Sequence, residues 1–216
     1  MRAAVRAFHG LRLLRQDPWE CLASFILSST KQIVQIRQII GLLCERYGRP
    51  LAVPDGHSPA FSFPSAACVA QVSEAELRAC KTGFRAPYLL AAARAVAGGQ
   101  LDLSRLSGMP VEGAREELME LPGVGRKIAD CVLLFAYGFP SAFPVDVWVM
   151  RALRELYFPR RQVGLPQLHH FTATHFGPHA GLAQQYLFHY VRTAGKIRPT
   201  SAVASFPGRA SKAALG

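Results

Sequence analysis

The chain has 216 residues, 50% of them apolar and 18% charged, with a mean hydropathy of +0.14. That is enough for one large domain or two small helical lobes, and it excludes a disordered polymer. Twenty-five Lys and Arg against 14 acids leave a formal charge of +11, which points to a polyanionic partner or, more blandly, to a solvated basic surface. From Arg151 onward nine basic residues face one acid, Glu155, so the basic face is expected toward the C-terminal end. The five cysteines (Cys21, Cys44, Cys68, Cys80 and Cys131) include no CxxC pair. A disulfide framework, a zinc site and an iron–sulfur cluster are therefore not expected, and neither is any metal or cofactor. No window is apolar over a bilayer's thickness and the N-terminus lacks a signal-peptide core, so no membrane partner is expected.

In chain order, helix signals dominate. Asp17-Pro18-Trp19-Glu20 supplies an N-cap, a proline at the first helical position and an acid at the third, and Ser28 and Ser29 close that helix. Ile33, Ile36, Ile40 and Leu43 form the next stripe, stopped by Gly48. The Pro-, Gly- and Ser-rich stretch 50–64 reads as a connector with no β-hairpin. Pro64-Ser65 opens a short helix and Ser73 with Glu76 forms a capping box. Helices are then expected over 85–97, 110–120, 126–137 (stopped by Gly138), 144–157, 165–176 and 179–195. The reading is all-α, with two helical lobes over 1–195 and a basic, flexible tail over 196–216.

Leu121-Pro122-Gly123-Val124-Gly125 joins two of these helices. Its glycines permit a sharp turn and remove the Cβ atoms that would block a close approach. Unpaired N–H groups at the start of the next helix suit an anion such as a phosphate, with Arg126 at the rim. An ordinary Gly-capped turn fits the same residues. Lys127 follows directly, and Asp146 comes nineteen residues later, after one helix and a short loop, so the two can face each other. An unprotonated lysine amine is a nucleophile toward carbon, which partial burial or neighbouring cations would favour, and a carboxylate can stabilise a developing oxocarbenium ion. Equally, Lys127 can clamp a phosphate and Asp146 can cap a helix.

The run LPGVGRKIADC, followed by PVDV, resembles the helix-hairpin-helix DNA glycosylase superfamily. RLLRQDPWECLASFILSS, GFRAPYLLAAARAV and AGLAQQYLF are further similar to the eukaryotic-type 8-oxoguanine glycosylase/lyase family, in order over roughly residues 8 to 195. The resemblance implies an active site in a cleft between the lobes, with Lys127 as Schiff-base nucleophile and Asp146 as catalytic aspartate. By the same resemblance Gly123, Gly125 and Ile128 are backbone contacts to a phosphate, and Cys131, Gln184 and Phe188 line a base pocket. Four residues apart, Gln184 and Phe188 share a helix face. Core packing is the other reading of Cys131 and Phe188.

The departures from that pattern are specific. The family's N-terminal domain is expected to be missing. Thr30 stands where the family has the asparagine that fills the lesion gap, with Lys31 after it; Gln35 stands where an arginine helps read the opposite cytosine. Phe84 replaces the wedge tyrosine, Arg85 remains beside it, and Trp148 replaces a histidine. Selectivity for the opposite base is therefore expected to be relaxed. The implied activity is removal of 8-oxoguanine from duplex DNA by a monomer acting with the DNA, in the cytoplasm or nucleoid of a bacterium or the nucleus of a eukaryote. Attack by Lys127 at the sugar C1′ would be followed by β-elimination. The alternatives are a glycosylase for another oxidised or ring-opened purine, a monofunctional glycosylase, and a non-catalytic DNA-binding module.

Overall fold

Helix starts follow the side chains able to satisfy orphan backbone groups. In the computed structural model, which describes residues 1–193, Asp17 Oδ1 accepts from Glu20 N at 2.9 Å and Pro18 occupies the first turn of helix α2 (Pro18–Leu27); such a cap contributes about 1 kcal/mol. Helix α3 (Ile33–Tyr47) ends at Gly48, and α4 (Ala66–Gln71) and α5 (Glu74–Ala79) are capped by Ser65 and Ser73 as their sequences require. The capping box at Ser73 closes with Glu76 Oε2 accepting from Ser73 N at 2.9 Å. Next come α6 (Ala86–Ala97), α7 (Val111–Met119) and α8 (Arg126–Val132), which continues as a π-helical turn, Leu133–Tyr137, and stops at Gly138 with φ +70°. Helices α9 (Val147–Tyr157), α10 (Leu165–Phe176) and α11 (Ala180–Thr193) complete the set. The tail expected over 196–216 lies outside the described residues.

Two local expectations are corrected. The connector 50–64 does hold a minimal antiparallel hairpin, β1 (Pro50–Leu51) on β2 (Ala60–Phe61), with Pro50 opposite Phe61. Two residues per strand are too few to carry a readable alternation. A short helix α1 (Arg2–Ala7) also precedes the predicted elements; six residues are too short to show an apolar stripe.

The apolar side chains divide into two cores, which are the two lobes. One collects Leu22, Ile26, Ile39, Leu43, Leu89, Leu118 and Leu133 from α2 through the π-turn. The other collects Phe143, Val149, Leu153, Leu168, Leu187 and Val191 from α9 to α11, with Met1 of the N-terminal segment packed against it. The N-terminal strap ties into the first lobe where the π-turn ends: Gln16 N donates to the Phe135 carbonyl at 3.1 Å, and Arg15 donates to that of Ala136 at 3.3 Å. Those carbonyls would otherwise be orphaned at a helix C-terminus. Among the described residues no helix is long and apolar enough to cross a membrane.

Candidate active site

The turn between α7 and α8 is held from below by buried Leu121 and Val124. Gly123 has φ +80°, and a Cβ there would lie 2.6 Å from Tyr88 Cγ, so both conformation and space demand glycine. Gly125 is the N-cap of α8, and a Cβ on it would meet nothing within 4 Å. Its backbone therefore faces open space where a ligand can approach. Among the described residues the N–H groups of Gly125, Arg126 and Lys127 have no backbone acceptor, whereas that of Ile128 donates to the Gly125 carbonyl at 2.9 Å. The free N–H donors are thus concentrated one to three residues before Ile128, whose side chain is buried in the core.

Helix α8 has two charged faces. Arg126 and Asp130, four apart, face α7, where Arg115 Nε reaches Asp130 Oδ1 at 2.6 Å and a second Arg115 nitrogen pairs with Glu112. Lys127 and Cys131, also four apart, face a cleft of about 320 Å³ between the lobes. Asp146 lines the same cleft from the start of α9. Its Oδ1 accepts from Val149 N at 2.7 Å, so it caps the helix and still presents a carboxylate to the cleft. The two readings of Asp146 are therefore compatible. Burial pushes its pKa up, opposed by the Val149 N–H and then by the charge of Lys127. No Lys127–Asp146 contact falls within 4 Å among the described ion pairs. Lys127 Nζ sits 5.1 Å from the centre of the Phe25 ring, and Phe25 stacks on Phe135 of the π-turn. Burial pushes the Cys131 thiol up to about 12, so it is neutral, a small wall to the pocket.

The far wall is α11. Gln184 and Phe188 share its cleft-facing side. Arg192, one turn further on, places its guanidinium 5.2 Å from the Phe188 ring centre and lines the same cleft. Sequence reasoning missed Arg192, although extending the four-residue spacing by one more turn reaches it. It also missed Gln185 and Phe25, and noted Trp148 only as a replacement; Trp148 lies at the mouth of the cleft, next to Asp146.

The rim divides differently from the sequence expectation. Thr30 and Lys31 line the mouth, and Phe84 is 54% exposed, free to project. Arg85, by contrast, is 2% exposed. Its Nη2 donates to the Ser29 carbonyl and, at 2.6 Å, to Thr30 Oγ1; Nη1 donates to the Thr82 carbonyl at 3.4 Å, and Nε has no partner among the described residues. Thr30 has φ +58°, an uncommon conformation for a β-branched residue, and Arg85 holds it there while the Phe84 ring stacks 4.1 Å from the guanidinium. Gln35 is likewise used internally: its Oε1 accepts from Gln32 N at 3.1 Å and caps α3. Arg85 is thus turned inward, whereas Gln35 stays exposed with only its oxygen engaged.

The HhH-GPD superfamily base excision DNA repair protein family matches residues 23–168. The chain is 34% identical to a probable N-glycosylase/DNA lyase of Methanothermobacter thermautotrophicus over 87% of its length, and 35% identical to the N-glycosylase/DNA lyase OGG1 of Arabidopsis thaliana over 85%. A structure of the 8-oxoguanine glycosylase/lyase of Clostridium acetobutylicum with duplex DNA carrying cytosine opposite 8-oxoguanine superposes with a TM-score of 0.85 at 36% identity, over 90% of this chain. This chain spans 65%, 52% and 66% of those three proteins respectively. With a glycine-rich turn between paired helices and a lysine and an aspartate meeting across one cleft, the chain belongs to the HhH-GPD superfamily of base-excision DNA repair proteins.

Proposed function

We propose that the protein is a bifunctional DNA glycosylase and abasic-site lyase that removes 8-oxoguanine from duplex DNA. The observation that carries this reading is the meeting of Lys127 and Asp146 across a single cleft walled by Gln184 and Phe188. Three relatives, named as N-glycosylase/DNA lyases or solved with 8-oxoguanine DNA, support it.

The chemistry follows from the geometry. Backbone N–H groups of the hairpin and Arg126 hold a phosphate, and Phe84 fills the gap as the damaged nucleotide turns out. The base enters beside Cys131 and against the face of Phe188, and Gln184 reads its edge. Lys127 Nζ, once deprotonated, attacks the sugar C1′; the C1′–N bond breaks and the base leaves with the bonding pair. Asp146, beside the sugar, stabilises the positive charge that develops. Ring opening gives a Schiff base at C1′, loss of a C2′ proton follows, and the 3′ phosphate departs by β-elimination. Because the Arg85 guanidinium is committed inside the fold and the Gln35 oxygen caps α3, Thr30 and Lys31 are left facing the opposite strand, and preference for the opposite base is weak. The protein then works wherever the cell keeps its DNA.

The test is borohydride trapping on duplexes carrying 8-oxoguanine opposite each of the four bases. A covalent adduct that forms with the native protein and vanishes in Lys127→Gln is expected, with adduct formation falling by about 10³-fold or more. Base release without an adduct would mean a monofunctional enzyme, and no chemistry at all would sink the assignment.

A further inference from the structure

We propose that Gln185, in building on the reading of this cleft as a base pocket, is a specificity-determining residue: it fixes the direction of the Gln184 amide and, together with it, offers a donor beside an acceptor to the lactam edge of a guanine-type base.

The two glutamines are consecutive on α11 and both line the cleft. They are 3% and 8% exposed, unusually buried for neutral polar side chains. Gln185 Nε2 donates to Gln184 Oε1 at 2.5 Å. That bond points the Gln184 oxygen at Gln185 and turns its NH₂ group away from it. Gln184 Nε2 and Gln185 Oε1 have no hydrogen-bond partner among the described residues, yet neither is an orphaned, fully enclosed atom. They remain reachable from the cleft. A lone glutamine can rotate its amide and present either group with equal ease; the Gln185–Gln184 bond removes that freedom.

The pair therefore shows the cleft one N–H donor (Gln184 Nε2) and one carbonyl acceptor (Gln185 Oε1). A lactam edge is the complement: a carbonyl to accept from the first and a ring N–H to donate to the second. 8-Oxoguanine has this edge at O6 and N1–H. 8-Oxoadenine carries the same oxidised imidazole half but reverses the pairing edge, with an amino group at position 6 and an unprotonated N1. A buried site that leaves a donor facing a donor loses a bond and strands a polar group, so discrimination is expected to be large for one contact.

The experiment uses the full chain carrying Lys127→Gln, so that binding is measured without turnover, on duplexes with 8-oxoguanine or 8-oxoadenine at one position. The parent is expected to bind the 8-oxoguanine duplex at least about ten-fold more tightly. Adding Gln185→Leu should bring the two affinities within about three-fold, because Gln184 is free to rotate. Adding Gln185→Glu should reverse the preference: a carboxylate only accepts, so it takes the Gln184 NH₂ and turns Gln184 Oε1 into the cleft. A purely structural role predicts equal weakening on both duplexes. Equal binding by the parent, or an unchanged ratio in whichever Gln185 variant keeps a cooperative melt, would overturn the proposal. Borohydride trapping with Lys127 intact reports separately on the glycosylase reading. No adduct with the affinity pattern intact would remove the enzyme and leave the role of Gln185; an adduct with an unchanged ratio would do the opposite.

Discussion

Helix α8 handles charge in opposite ways on its two faces. Toward α7, Asp130 is 1% exposed and fully engaged, by Arg115 at 2.6 Å and Arg126 at 3.7 Å, with Glu112 completing the chain. A cavity of about 360 Å³ lies beside this network, and burial there, with the two arginines, lowers the His169 pKa to about 4 and keeps it neutral. Toward the other lobe, Lys127 and Asp146 share a cleft without closing an ion pair. Where charges neutralise one another, they set the angle between the hairpin helices. Where they are held apart in a cleft, the interaction energy is still available to a substrate. Both faces contain carboxylates and cations, so composition alone could not have told them apart.

Asp146→Asn sharpens this contrast most. Asparagine caps a helix nearly as well as aspartate, so the melting midpoint should move by no more than about 2 °C, while kcat for base removal falls by about 10²-fold or more. Circular dichroism melts and single-turnover kinetics on one preparation check both halves. A fall in stability matching the loss of activity would make Asp146 a structural residue only. In the native protein the pKa of Asp146 is raised by burial. Its carboxylate therefore protonates, and activity is lost, at a higher pH during acidification than for an exposed aspartate; that acid limb should be absent from the residual activity of Asp146→Asn.

The structural face should respond in stability instead. Asp130→Ala removes the buried partner of Arg115 and leaves it only exposed Glu112; it is expected to cost about 3–5 kcal/mol, a drop of roughly 6–20 °C in melting midpoint for a chain of this size. The paired change Arg115→Met with Asp130→Leu removes both charges and should recover most of that loss. If the single change is nearly neutral, the pair is not a brace. The smallest effect is expected at Arg126, which serves the rim: Arg126→Ala should weaken binding to any duplex and lower the slope of log affinity against log salt by about one. Filter binding across a salt series measures it, and an unchanged slope would mean that Arg126 makes no phosphate contact.

Much of this contrast was legible in the residues. The caps at Asp17, Ser65 and Ser73 act within one turn, so local chemistry set those helix starts. The hairpin glycines were legible because their backbone requirement excludes other residues. What escaped the sequence depended on side-chain direction. Arg85 reads as a lesion-gap residue beside Phe84, and the structure turns its guanidinium inward onto Ser29 and Thr30. Gln35 could cap its own helix or reach outward, and only geometry decides between them. Gln185 has no role assigned by the sequence, because only side-chain geometry brings its amide onto that of Gln184. The hairpin β1–β2 and helix α1 were too short for any period to register.

The contact between α1 and α11 bears on how the chain is made. Phe8, just after α1, lies 5.7 Å from His189 of α11 ring to ring, and Ala4 is buried. Residues of α1 are synthesised well before those of α11 and therefore wait for them before they find their packing partner. The lobe built on Leu22, Leu89 and Leu133 can collapse during synthesis, whereas the second lobe closes only after α11 has emerged. That order makes closure of the cleft a late event, with the half that carries Lys127 already folded when the half that carries Gln184 and Phe188 docks against it.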